Sequence, residues 1–95
     1  MISREVVFRD RYGLHPRSAR RIRESLNGLT ADVSLTSLDG AGAPVDARGM
    51  LGLISSGIRA GDRVRVEADG ADEAAAVKTL GDLLESGVCH PMVGR

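Results

Sequence analysis

The sequence has little of what would let it bind metals or charged polymers. Cys89 is its only cysteine, so neither an internal disulfide nor a multi-cysteine metal site can form. Only Phe8 and Tyr12 are aromatic, which is too few for a platform that stacks nucleic-acid bases. Thirteen basic and thirteen acidic residues cancel to a formal charge of zero, which argues against a general polyanion binder.

Long apolar runs are also missing. No stretch reaches the roughly 18 apolar residues that a membrane span requires, and charges at positions 4, 5, 9 and 10 interrupt any run of signal-peptide type near the start. We therefore expect a cytoplasmic protein without membrane insertion. The chain has 95 residues, of which 42% are hydrophobic, and this suffices for one compact core. We assign residues 1–88 to one domain and residues 89–95 to a C-terminal tail.

The pattern of apolar residues predicts four strands and three helices. Strands are indicated over residues 3–8, 31–38, 43–47 and 61–68. Apolar spacings of three and four predict a helix from Pro16 to a stop at Asn27-Gly28, and another over residues 72–86. A compact apolar cluster between Gly49 and Gly57 indicates a short helix.

This order predicts an α+β fold, an open-faced β-sandwich. We expect a four-stranded antiparallel sheet with three helices on one face, in the order β-α-β-β-α-β-α. Pro44 cannot donate a backbone hydrogen bond, so the third strand should lie at a sheet edge.

The segment GLHPRSARR, residues 13–21, is the part of the chain best suited to bind an anion. His15 stands before the predicted helix, where unpaired N–H groups and the helix dipole favour negative charge. Imidazole is a nucleophile near neutral pH, and Arg17 can offer paired donors to phosphoryl oxygens. We take the backbone of Pro16, Arg17 and Ser18 as the phosphate-binding segment. A lone histidine in a polar loop is also often just solvent-exposed, and the Ser18 hydroxyl can instead cap the first helical turn.

Three segments resemble one known family. Gly13-Leu14-His15-Pro16-Arg17-Ser18-Ala19 resembles the GLHARPA active-site motif of HPr, the phosphocarrier of the bacterial phosphoenolpyruvate-dependent sugar phosphotransferase system. Residues 45–53, VDARGMLGL, are similar to the family's second signature, VDAKSIMGL. Residues 61–75 look like its fourth strand and the start of its last helix. The resemblance covers about residues 3–86.

The resemblance implies a phosphocarrier rather than an autonomous enzyme, with no cofactor and no metal. It implies that enzyme I, which takes phosphate from phosphoenolpyruvate, phosphorylates Nδ1 of His15. The phosphoryl group then passes to an EIIA-type acceptor domain in sugar uptake. By the same resemblance, Arg17 stabilises the phosphate, and the short helix docks the partners. The residues expected to dock partners are Met50, Leu51 and Ile54, together with Arg20 from the arginine-rich helix. We expect a monomer.

The chain departs from the family pattern at three positions. Pro16 replaces the usual alanine and Ser18 the usual proline, so the local geometry can differ. Gly49 stands where many members carry a serine that a kinase phosphorylates, and glycine has no hydroxyl to modify.

Two other functions stay open on the sequence alone. One is an HPr-like carrier in a regulatory or dihydroxyacetone-kinase phosphorelay. The other is a non-catalytic module that binds protein or nucleic acid through the arginine-rich helix. The binding module is the weaker of these two hypotheses, because the zero net charge and the scarcity of aromatic residues argue against a nucleic-acid partner.

Overall fold

The computed structural model describes residues 1–40 and 43–87. These residues form four strands and three helices in the predicted order. The strands are β1 (Ile2–Val7), β2 (Asp32–Ser37), β3 (Val45–Asp46) and β4 (Arg63–Asp69), and the helices are α1 (Pro16–Ser25), α2 (Met50–Ser55) and α3 (Glu73–Ser86). The fold is the expected α+β open-faced sandwich. The predicted boundary between the domain of residues 1–88 and the tail of residues 89–95 lies outside the described residues.

The four strands form one antiparallel sheet in the order β1-β4-β2-β3. The third strand is at the sheet edge, as Pro44 predicted, but the expected span of 43–47 is wrong. The strand itself has only Val45 and Asp46, which pair with Leu35 and Ser34 of β2. Just beyond it, the Ala47 N–H donates to the carbonyl oxygen of Val33 at 2.9 Å. The other strands agree with their predicted spans to within two residues at each end.

One face of the sheet is buried and the other faces solvent. Alternation along the strands places Val6, Val64 and Val66 on the buried face, where Val6 pairs with Val64. The helices cover this face with their apolar residues. The largest fully buried apolar side chains are Phe8, Ile22, Leu26, Leu35, Leu53, Leu80 and Leu84. Within residues 1–40 and 43–87, these side chains belong to one hydrophobic core.

Two polar clamps hold the loop between α1 and β2 in place. The Arg48 guanidinium donates to the carbonyl oxygens of Ala31 at 2.7 Å and Leu29 at 2.8 Å. The Asp72 carboxylate accepts the backbone N–H groups of Thr30 and Ala31, each at 2.8 Å. These N–H donors, that of Thr30 first, lower the pKa of Asp72 below its ordinary value because they stabilise the carboxylate.

The helices are too short or too polar for a lipid bilayer. Among the residues that the structure describes, no helix has both the length and the apolar character that spanning a membrane requires.

Candidate phosphoryl-acceptor site

His15 is the N-cap residue of α1, and its side chain takes part in the capping. Its backbone is extended, with φ −132° and ψ 174°, and Pro16 follows as the first helical residue. The Ser18 N–H donates to His15 Nδ1 at 3.4 Å, while the His15 N–H donates to Ser18 Oγ at 2.8 Å. The Ser18 hydroxyl in turn donates to the His15 carbonyl oxygen at 2.9 Å. This reciprocal pair is a capping box built from histidine and serine.

The capping contact distinguishes the two nitrogens of the imidazole. Because Nδ1 accepts an N–H, a neutral ring in this arrangement carries its own proton on Nε2. The lone pair of Nδ1 therefore points toward the first turn of α1. The hydroxyl of Ser18 adopts the capping role that the sequence left as one of two alternatives.

The other edge of the imidazole faces a buried carboxylate. His15 Nε2 is itself buried and lies 3.8 Å from Oδ2 of Asp10, whose side chain has no solvent exposure, whereas a quarter of the His15 side chain is exposed. Asp10 Oδ1 accepts the N–H of Tyr12 at 3.1 Å, and the Asp10 carbonyl oxygen accepts the N–H of Gly13 at 3.0 Å. The loop before α1 thus wraps around this carboxylate.

A second contact holds this loop against the segment that follows α2. The Leu14 N–H donates to the carbonyl oxygen of Ile58 at 3.0 Å. Gly13 has a φ of +74°, and a Cβ there would lie 3.1 Å from the same oxygen. Both the positive φ and the close approach favour glycine at this position. The contact brings the end of α2 beside the segment that carries His15.

The solvent side of the site is a shallow depression lined by Tyr12, His15, Pro16 and Arg17. Arg17 is exposed and lines the same depression as His15. Pro16 fixes the start of the helix, but it has no N–H and cannot donate to a phosphate. Within the predicted phosphate-binding segment of Pro16, Arg17 and Ser18, backbone N–H donors can therefore come only from Arg17 and Ser18, and the phosphate-binding role of the segment stays a prediction.

The residues expected to dock partners differ in exposure. Leu51 is 84% exposed and Ile54 is 40% exposed, although Leu53 of the same helix is fully buried. Met50 is half-buried and packs against the core. Arg20 is exposed and pairs with Glu24 at 3.3 Å on the same helix. The docking role of these residues stays a prediction.

Sequence reasoning missed Asp10. It stands in the polar stretch RDRYG, which looks like an ordinary turn after the first strand. Its position five residues before His15 matches neither a helical nor a strand repeat. Only the wrapping of the loop brings the two side chains together. Across residues 1–40 and 43–87, no cluster of three or more His, Cys, Asp or Glu side chains is arranged to hold a metal ion.

Comparison with known proteins identifies the family. The family model described as "PTS HPr component phosphorylation site" matches residues 2–86. The multiphosphoryl transfer protein of Escherichia coli O157:H7 is 33% identical over 88 residues, which are 93% of this chain but only 23% of that protein. The phosphocarrier protein HPr of Xylella fastidiosa (strain 9a5c) is 27% identical over 86 residues, 90% of this chain and 93% of that protein.

Structural comparison agrees. The crystal structure of HPr-C-His from Thermoanaerobacter tengcongensis matches with a TM-score of 0.79 and 28% identity, over 90% of this chain and 93% of that one. The chain therefore belongs to the HPr phosphocarrier family of the phosphotransferase system.

Proposed function

We propose that this chain carries a phosphoryl group on Nδ1 of His15. It accepts the group from enzyme I, with phosphoenolpyruvate as the original donor, and passes it to an EIIA-type acceptor domain in sugar uptake. The observation that carries the proposal is the direction of Nδ1, which faces the Ser18 N–H at the start of α1, 3.4 Å away. In this role the protein is a carrier rather than an autonomous enzyme.

The chemistry is an in-line displacement at phosphorus. The Nδ1 lone pair attacks, a nitrogen–phosphorus bond forms, and the bond from phosphorus to the donor breaks with its electron pair on the donor. The phosphoryl oxygens then accept the N–H groups of Arg17 and Ser18, where the helix dipole amounts to about half a positive charge. The exposed guanidinium of Arg17 adds paired donors. Transfer to the acceptor reverses these steps, so the protein contributes positioning and electrostatics.

The docking surface is the exposed face of α2 together with Arg20 of α1. Leu51 and Ile54 supply apolar area, which partner surfaces bury, and the half-buried Met50 adjoins them. Enzyme I and the acceptor use this surface in turn, and a monomeric carrier suits such an exchange. The likeness to proteins named multiphosphoryl transfer proteins supports a phosphotransfer context.

The test is incubation with enzyme I and phosphoenolpyruvate, followed by mass spectrometry of the intact protein. We expect a gain of one phosphoryl group that is lost in acid. His15→Ala should abolish the gain, and His15→Asn should do so as well.

The two variants separate chemistry from folding. Asparagine is among the best N-cap residues but has no imidazole, so His15→Asn keeps the helix start. His90→Ala, which removes the other histidine, should still be labelled. Labelling retained in both His15 variants would falsify the site assignment.

A further inference from the structure

We propose that Asp10 is a positioning residue for the phosphoryl acceptor. Its buried carboxylate holds the ring proton of His15 on Nε2 and so keeps Nδ1 as the nucleophilic nitrogen. This inference rests on the proposed function, since it concerns which atom of His15 accepts the phosphoryl group.

The two nitrogens of the imidazole face different kinds of partner, a hydrogen-bond donor at Nδ1 and an acceptor at Nε2. Nδ1 accepts the N–H of Ser18, while Nε2 is buried 3.8 Å from the Asp10 carboxylate. An N–H donor on one side and an anionic acceptor on the other favour the same tautomer, the one with its proton on Nε2. Both contacts therefore favour the tautomer in which the Nδ1 lone pair carries no proton and can attack phosphorus.

The carboxylate is held in place by its own loop. Asp10 is fully buried, and one of its side-chain oxygens accepts the Tyr12 N–H. Its carbonyl oxygen accepts the Gly13 N–H. These two hydrogen bonds hold the loop so that the second carboxylate oxygen lies beside the imidazole. The separation of 3.8 Å exceeds a hydrogen bond but lies within ion-pair reach, and catalytic hydrogen bonds in unliganded proteins often shorten only in the reacting complex.

The carboxylate also balances the charge that the reaction creates. When Nδ1 bonds to phosphorus, its lone pair is used and the ring gains a positive charge, which it shares with the Nε2–H group. Asp10 faces that group, so the charge develops next to an anion in a water-excluded position. The proton stays on Nε2 throughout, and Asp10 neither gains nor loses one. When the group moves on to the acceptor, the nitrogen–phosphorus bond breaks and the electron pair returns to Nδ1.

A simpler role for Asp10 is to shape the turn before α1. Asp46 provides the comparison, because its Oδ1 accepts the N–H of Arg48, two residues on, at 2.9 Å. Asp10 makes the same contact to Tyr12. The two differ in their surroundings, since Asp46 is exposed and Asp10 is fully buried against His15. Asp46→Asn is therefore the matched control for Asp10→Asn.

The experiment measures the tautomer of His15 by nitrogen-15 NMR of the neutral imidazole in the full chain. The wild-type ring should carry its proton on Nε2. Asp10→Asn should shift the ring toward a mixture of both tautomers, because an amide can donate to Nε2 as well as accept from it. Asp46→Asn should leave the wild-type signature unchanged.

The rate of labelling by enzyme I and phosphoenolpyruvate gives a second readout. Asp10→Asn should lower it about tenfold, the low end of the loss seen when metal-binding histidines lose an orienting carboxylate. Asp46→Asn should keep the wild-type rate.

Each outcome decides the proposal. A wild-type ring protonated on Nδ1 would overturn it, and so would an Asp10→Asn protein that keeps the wild-type tautomer, whatever its rate of labelling. The wild-type spectrum tests the tautomer even if Asp10→Asn does not fold. The spectrum requires no phosphoryl donor, so a wild-type protein that is never labelled refutes the proposed function without affecting the tautomer result.

Discussion

Replacing Ser18 with alanine tests the capping box that begins α1. The substitution removes the hydroxyl that accepts the His15 N–H at 2.8 Å and donates to the His15 carbonyl oxygen at 2.9 Å. It leaves the Ser18 N–H and its contact with Nδ1 in place. We therefore expect a loss of stability but not a loss of phosphoryl acceptance.

The magnitude follows from burial. Ser18 has no solvent exposure, so the His15 N–H that loses its acceptor is at best partly rescued by water. Losing a helix cap costs about 1 kcal/mol, and leaving a buried donor unpaired costs about 1–3 kcal/mol. We predict that the free energy of unfolding falls by about 1–2 kcal/mol. For a domain of this size, Tm should fall by about 4–8 °C for each kcal/mol.

The assay is urea unfolding followed by circular dichroism, with Ser25→Ala as the matched control. Ser25 lies at the other end of α1, where its hydroxyl donates to the Ile22 carbonyl oxygen at 2.7 Å. That contact caps no N–H, and alanine has the higher helix propensity. Ser25→Ala should change the free energy of unfolding by no more than about 0.5 kcal/mol. If Ser18→Ala unfolds at the same urea concentration as the wild type, the hydroxyl does not stabilise the helix start.

Three further predictions concern the Asp72 clamp, Gly13 in the loop before α1, and the short helix α2. Because its pKa is lowered in the folded protein, the Asp72 carboxylate stabilises the fold above its ordinary pKa of about 3.9, and this stabilisation is lost as the pH falls through the pKa of the folded state. Below about pH 4, the urea midpoint of the wild type should therefore fall more steeply with decreasing pH than that of Asp72→Ala. Gly13→Ala should destabilise by about 1–3 kcal/mol in thermal unfolding because of its positive φ, and a neutral result would contradict backbone strain at this position. Leu53→Ala should cost about 2–5 kcal/mol and Leu51→Ala less than about 0.5 kcal/mol, since Leu53 is buried and Leu51 is 84% exposed; chemical unfolding of both checks this, and equal losses would contradict it.

Local rules were sufficient to predict most of the fold. The start of α1 at Pro16 follows from the fixed φ of proline, and the edge position of β3 from the missing N–H of Pro44. The strand spans were less accurate. Alternation in sequence marks a possible strand, but only pairing with a neighbour defines its length, which is why β3 has two residues instead of five.

The site could be predicted only where its parts are adjacent in sequence. His15, Arg17 and Ser18 share one turn, and helix-start rules place them together. The Asp10 contact depends on the path of a loop, and the Arg48 clamp joins segments 17 and 19 residues apart. No local pattern indicates either contact. Pro16, the first residue of the predicted phosphate-binding segment, fixes the start of the helix but has no backbone N–H to donate.

The hydrogen bond from the Ser18 amide to Nδ1 gives the molecule a built-in indicator. One lone pair cannot hold both an N–H group and a phosphorus atom, so loading the ring obliges the amide to turn to a phosphoryl oxygen. The proton resonance of that single amide should therefore read out the fraction of loaded carrier in an unmodified sample, without radioactivity and without stopping the reaction.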